Sequence, residues 1–344
     1  MPQFNREDQI LLLKAGLEKD DERSYSLFCS WVNHQDFEKE FSHTEYRLLP
    51  YLWYRHKSKF KGHPISERFQ GVYKRTLFHN TRMVKNGVEV SKLLSENQIH
   101  HGFVKGLVFV LKVYPSLGTR PMNDIDLLIN EHDLEKTSRL LIKAGFIPKK
   151  KLEHVKLLRK NSIGFISKEN VGIDIHIRPV AFPVRNFDAG YFLDNLDFCQ
   201  TQLGNIPLLS IDKAVEFTIL NGLLETDGHW LLDLELSDPE SKISTGLIKR
   251  LDELKQIAAI IKFRLNLFSK GNNSLVANSL IPKAYVRFLK NKLKDNPASF
   301  RLANLYWHFA LKDGFYRNPF FSGMYFGLYL RYSFLWLLSN KSLS

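Results

Sequence analysis

The stretch Asn123-Asp124-Ile125-Asp126-Leu127-Leu128-Ile129 decides how this chain is read. Side chains alternate with a period of two along a strand, so Asp124 and Asp126 project from one face while Ile125 and Leu127 pack beneath. Two like charges held side by side are costly without a cation between them. Hard divalent ions such as Mg²⁺ take one or two carboxylates together with substrate phosphates. Alone, the pattern also describes two solvated carboxylates at a sheet edge.

A second strand raises it above that reading. In Val171-Gly172-Ile173-Asp174-Ile175-His176-Ile177-Arg178, Val and Ile occupy one face and Gly, Asp, His and Arg the other. If this strand lies beside the first, Asp174 completes a carboxylate triad able to hold two metal ions or to take a proton from an attacking hydroxyl. His176 can contact a phosphate or tune Asp174, or simply be solvated on an open face. Arg178 shares that face. Lys105-Gly106 forms a strand-to-helix turn, and Arg120 stands close before the first aspartate. Glycine lets backbone amides approach an anion, and the two cations suit a triphosphate. No Gly-x-x-x-x-Gly-Lys-Ser/Thr pattern occurs at this turn, so a P-loop ATPase is not supported.

Working outward, Phe103-Val104 reads as a short strand, Leu107 to Val113 as a buried helix, and Asn130 to Ala144 as a helix ended by Gly145. His154 to Lys160, Ile163 to Lys168 and Val171 to Arg178 read as strands separated by turns. Residues 1–98 carry helical spacing throughout, with Ser42 and Glu45 forming a capping box. Beyond Pro183 helical texture is expected to continue to the end. The predicted organisation is α+β: a helical lobe over 1–98, a small mixed-sheet α/β core over 99–182, and a basic, aromatic-rich helical lobe over 183–344. Ile211 to Leu224 is expected to pack on the core. That helix could form one wall of an acceptor pocket with Trp230 and Asp233 nearby, although these two read first as an aromatic helix cap and a surface carboxylate. His100, His101 and His154 show no metal-ligand spacing and read as structural.

Composition narrows the partners. Cys29 and Cys199 cannot build a disulfide framework or a four-cysteine metal knot, which points to a reducing cytoplasm. The apolar run Ile10 to Leu13 is flanked by Glu7, Asp8 and Glu18 and reads as a helix, not a targeting signal. Net charge is +13, and residues 240–344 hold 17 Lys and Arg against five Asp and Glu. Such a lobe attracts polyanions: nucleic acid, anionic lipid or phosphorylated substrates. Residues 315–338 crowd ten aromatics around Arg317 and Arg331. Arg331 argues against a membrane span, leaving two readings: a buried terminal helix, or peripheral contact with an anionic membrane.

Lys105-Gly106, the Tyr114-Pro115 loop, Arg120-Pro121-Met122-Asn123-Asp124-Ile125-Asp126-Leu127-Leu128-Ile129, Gly145-Phe146 and Ile173-Asp174-Ile175-His176 resemble the uncharacterised bacterial nucleotidyltransferase family, of the polymerase-β type. Arg47-Leu48-Leu49-Pro50-Tyr51-Leu52-Trp53-Tyr54 is similar to that family's helical region ahead of the core. The resemblance spans residues 20–240, its specific part Lys105 to Arg178. It implies an NTP, two Mg²⁺ ions, and transfer of a nucleoside monophosphate to a hydroxyl acceptor with loss of pyrophosphate. Asp124, Asp126 and Asp174 would then hold metal, Asp174 also helping to deprotonate the acceptor. Lys105, Gly106, Arg120, His176 and Arg178 would face the nucleotide. One departure stands out: the family's Gly-Gly or Gly-Ser turn is replaced by Lys105-Gly106-Leu107, farther ahead of Asp-x-Asp than is usual. The acceptor class stays open among small molecules, proteins and RNA, with no DNA partner indicated. Two rival readings differ in kind: a non-catalytic scaffold of the same fold, and a metal-dependent phosphohydrolase.

Overall fold

The structure is a computed structural model that describes residues 6–36, 40–150, 152, 161–179, 187–222, 230–240 and 242–243. The chain divides into two compact units, residues 1–245 and 246–344, and every described residue lies in the first. The basic tail and its aromatic stretch 315–338 therefore lie outside the described residues, as does the expected strand over 154–160. Among the described residues no helix is long and apolar enough to cross a membrane.

Four helices precede the sheet: α1 (Arg6–Leu17), α2 (Asp21–Asn33), α3 (His43–His56) and α4 (Ser66–Glu96). Local chemistry fixes their starts. Asp20 accepts a hydrogen bond from the Arg23 amide at 2.8 Å, and Ser42 and Glu45 form the expected reciprocal capping box. Their core is aromatic: Phe28 stacks on Phe69 at 5.5 Å and on Trp31 at 6.0 Å, all three fully buried.

The core strands and helices follow as β1 (His101–Val104), α5 (Gly106–Lys112), β2 (Asp124–Ile129), α6 (Leu134–Lys143), β3 (Ile147–Pro148), β4 (Ser162–Ile166) and β5 (Gly172–His176). Next come α7 (Ala189–Leu193), β6 (Asp197–Thr201), β7 (Gly204–Leu208), α8 (Ile211–Gly222) and α9 (Trp230–Ser237). Seven strands form one sheet in the order β3-β4-β5-β2-β1-β7-β6. β2 runs parallel to β5 and antiparallel to β1, and β4 is antiparallel to β5. Ile125, Leu127, Ile173 and Ile175 are fully buried, as the alternation of both strands requires.

The expected all-helical texture beyond Pro183 is corrected here. Residues 197–208 form a hairpin that extends the sheet, with β7 parallel to β1 and Phe103 opposite Leu208. Pro207 lies within β7 and withholds a ladder donor, so the segment lacks the usual look of an inner strand. The later helix does form, as α8, and it lies against α5.

Candidate active site

Strand register assembles the site. Asp126 on β2 stands opposite Asp174 on β5 and, on its other side, opposite Val104 on β1. Directly after Val104 the chain turns into α5 through Lys105, a non-glycine residue at φ 53°. Such a backbone is strained for a side-chain-bearing residue, and strain of this kind concentrates where a side chain must be aimed. Here it carries the ammonium back over the sheet: Lys105 Nζ donates to Asp126 Oδ1 at 2.8 Å. His176 Nε2 meets the same oxygen at 2.7 Å and lies 3.4 Å from Lys105 Nζ.

These contacts set the charge states. Burial pushes the Asp126 carboxyl up, but Lys105 and His176 outweigh it and hold the group well below the ordinary carboxylate range. His176 is buried, which together with the Lys105 ammonium lowers its pKa and keeps the ring neutral. Asp124, half-buried at the start of β2, is pushed up to about 7 by burial and by the charges of Asp126 and Asp174. Burial is the larger cause, and the two neighbouring carboxylates add to it.

Asp126, Asp174 and His176 each offer a ligand atom, all within 4.8 Å of one another. Two carboxylate oxygens, a neutral imidazole and a nearby third carboxylate make a donor set that fits a divalent ion. The Lys105 ammonium, bonded to Asp126 and beside His176, shows that the position already suits a cation. Pairing of β2 with β5 brings the aspartates together as the spacing predicts. Asp124 is not one of these three, and His176 is. The alternation that set His176 on the aspartate face was the signal available for it.

Other expected residues are placed differently. Arg120 is buried, its Nε and Nη2 each 2.7 Å from an Asp233 carboxylate oxygen, so its guanidinium is committed to α9 instead of facing a phosphate. Asp233 is correspondingly no surface group: it is 1% exposed and also accepts from Tyr114 Oη at 2.9 Å. Gly106 is required for the same reason. A Cβ there would lie 2.7 Å from Arg120 Nη1 and 3.1 Å from the Met122 side chain, so the missing side chain makes room for the ion pair. Arg178 lies past the end of β5 with Nη1 4.0 Å from Glu131, four residues and about 13 Å of strand beyond Asp174. His101 is structural as expected, bonded to Ser91 Oγ at 2.9 Å and to the Ile99 carbonyl at 2.8 Å.

One residue escaped the sequence reading. Lys149, just after β3, brings its ammonium to 3.6 Å from Asp174 Oδ1. Its backbone amide donates to the Gly164 carbonyl at 2.8 Å, which continues the β3–β4 ladder by one residue.

The family described as "Uncharacterised nucleotidyltransferase" matches residues 43–237, more than half of the chain. No curated protein matches. Among solved structures, a lincosamide antibiotic adenylyltransferase with lincomycin bound is similar at 18% identity and a TM-score of 0.29, covering 42% of this chain and 90% of that one. An antigenic nucleotidyltransferase-like protein from Paracoccidioides brasiliensis is similar at 15% identity and a TM-score of 0.32, covering 54% of this chain and 92% of that one.

Proposed function

The chain belongs to the family of uncharacterised nucleotidyltransferases, and from that premise we propose that it transfers a nucleoside monophosphate from an NTP to a hydroxyl acceptor, with Mg²⁺ as the metal. The observation that carries this reading is the register pair Asp126–Asp174 with His176 Nε2 2.7 Å from Asp126. Asp126, Asp174 and His176 would hold a divalent ion, with Asp124 adjoining; a second ion, as the family resemblance implies, would draw on Asp124. A metal bound there supplies positive charge that offsets charge on the phosphoryl oxygens and the leaving pyrophosphate.

The chain's own residues do the rest. Lys105 clamps one oxygen of Asp126, which fixes the carboxylate's orientation and leaves its second oxygen for other partners. The acceptor hydroxyl oxygen attacks the α-phosphorus as the bond to the pyrophosphate oxygen breaks, and the hydroxyl proton passes to Asp174. That carboxylate is 29% exposed against 10% for Asp126, so an acceptor can reach it. Lys105, on the same face and bonded to Asp126, is the cation placed to meet the nucleotide.

Calorimetric titration of the four NTPs into the wild type and into Asp124→Asn/Asp126→Asn, with and without Mg²⁺, tests the reading. Metal-dependent binding of an NTP that disappears in the double variant is expected. Binding that survives the double substitution would place the nucleotide elsewhere. Absence of any NTP binding by the wild type would favour the scaffold reading.

A further inference from the structure

A single rung crosses the polar face of the sheet. Beyond β3, Lys149 stands opposite Gly164 on β4, Gly164 opposite Asp174 on β5, and Asp174 opposite Asp126 on β2. In the neighbouring rung Gly172 stands opposite Asp124. Gly164 is what lets Lys149 in, and Gly172 makes room for Asp124, whose Cβ would lie 3.2 Å from a Cβ there. A Cβ on Gly164 would lie 2.7 Å from both Lys149 Cδ and Asp174 Oδ1, and one on Gly172 would lie 3.5 Å from Lys149 Nζ. Strand-interior glycine weakens a sheet and marks a place where something must approach closely. Here the approaching group is the Lys149 stem, laid across β4 toward the carboxylates.

The contact it reaches is not a tight ion pair. At 3.6 Å it is longer than a hydrogen bond, and the Lys149 side chain is 40% exposed, so pairing with Asp174 contributes little. The arrangement instead leaves an ammonium on a flexible stem at the open end of the acid row. Lys105 occupies the opposite end, hydrogen-bonded to Asp126. Two ammonium groups bracketing a carboxylate pair suit a polyanion lying across metal held between those carboxylates.

We propose that Lys149 binds the terminal phosphates of the NTP and the pyrophosphate that leaves. This assignment rests on the nucleotidyltransferase reading above and adds to it a phosphate-binding residue. A diphosphate meeting Lys149 has the charge and length to reach from the open end of the row to the metal-binding carboxylates, and the lysine needs only to swing from Asp174 to engage it.

The test is binding of inorganic pyrophosphate with Mn²⁺, and of Mn²⁺ alone, to the full chain as wild type, Lys149→Met and Lys149→Arg. Loss of one charge-assisted contact predicts pyrophosphate binding weaker by about tenfold or more in Lys149→Met. Lys149→Arg, which keeps the charge, should recover most of that loss. Mn²⁺ binding alone should be unchanged or tighter in Lys149→Met, because a positive charge beside Asp174 has been removed. The proposal is overturned if the wild type binds no pyrophosphate, or if Lys149→Met keeps wild-type pyrophosphate affinity. Weakened Mn²⁺ binding in Lys149→Met would overturn it too, revealing a strut for Asp174. Failure of the transferase reading has a different signature. None of the four NTPs would then show metal-dependent binding that disappears in Asp124→Asn/Asp126→Asn, while the Lys149 dependence of pyrophosphate binding would still stand as evidence for the phosphate contact.

Discussion

Arg120 and Asp233 meet in the interior through two bonds of 2.7 Å, joining the loop that leads into β2 to the helix α9, 113 residues later in the chain. Asn80 on α4 donates to the Arg120 carbonyl at 2.7 Å, and Arg47 on α3 to the Pro121 carbonyl at 3.3 Å. The residues immediately before Asp124 are thus clamped from three helices.

Removing one partner of a buried pair strands the other charge, so Asp233→Ala should lower stability by about 3–5 kcal/mol. The double variant Arg120→Met/Asp233→Leu should recover much of that loss. Urea unfolding of the two variants beside the wild type measures both; equal losses in the single and double variants would show that shape, not charge, governs the site.

Removing the Lys105 ammonium frees Asp126 from a competing cation. Lys105→Met should bind Mn²⁺ alone more tightly than the wild type, by about tenfold, yet bind NTP less well. Electron paramagnetic resonance titration of free Mn²⁺ reads the first effect directly, and weaker Mn²⁺ binding would contradict it.

Asp124 gives the molecule a pH signature. Its carboxyl titrates at about 7 in the folded protein against an ordinary 3.8. A raised carboxylate pKa means that the folded state holds the extra proton in this window. The stabilising effect is therefore full below 3.8 and is lost as pH rises through 7. Asp124→Asn should raise Tm by several degrees at pH 8 and have little effect at pH 4. By the same linkage, metal binding should release protons near pH 7 and weaken below it. Calorimetry in buffers of different ionisation enthalpy counts those protons.

His56 acts in the opposite sense. It is fully buried against Ser24 Oγ at 2.9 Å, and burial lowers its pKa from 6.5 to about 4. The unfolded chain takes up the proton first, so the stability linked to the neutral ring is full above 6.5 and is lost as pH falls through 4. Ser24 Oγ gives its one proton to the Ala15 carbonyl at 2.8 Å and so accepts from His56; His56→Gln, which keeps a donor for Ser24, should flatten part of the decline in Tm between pH 6.5 and 4. An unaltered profile would assign that decline to other buried histidines such as His101.

Much of the site was legible because strand periodicity is local. The Asp-x-Asp spacing put two carboxylates on one face, and the alternation from Val171 to Arg178 put Asp174 and His176 on the matching face of the next strand. The Ser42 cap, β2, β5 and α8 followed from similarly short-range patterns. What escaped depends on long-range register or partnership. Arg120 near two aspartates looked like a phosphate contact because nothing nearby in sequence announces Asp233. Lys149 had no signal of its own; its role appears only when Gly164 is seen to leave a gap in the rung it shares with Asp174. The β6–β7 hairpin was hidden by Pro207, a residue that argues against an inner strand.

Asp126 and Asp174 belong to adjacent parallel strands and face each other in register. Their backbones are therefore held at the repeat distance of a hydrogen-bonded sheet, about 4.8 Å. The separation of the two side-chain roots is a lattice constant, set by the ladder itself. Substitutions in the surrounding helices leave that separation unchanged. The ladder fixes where the two carboxylates start and leaves their final aim to the side chains around them.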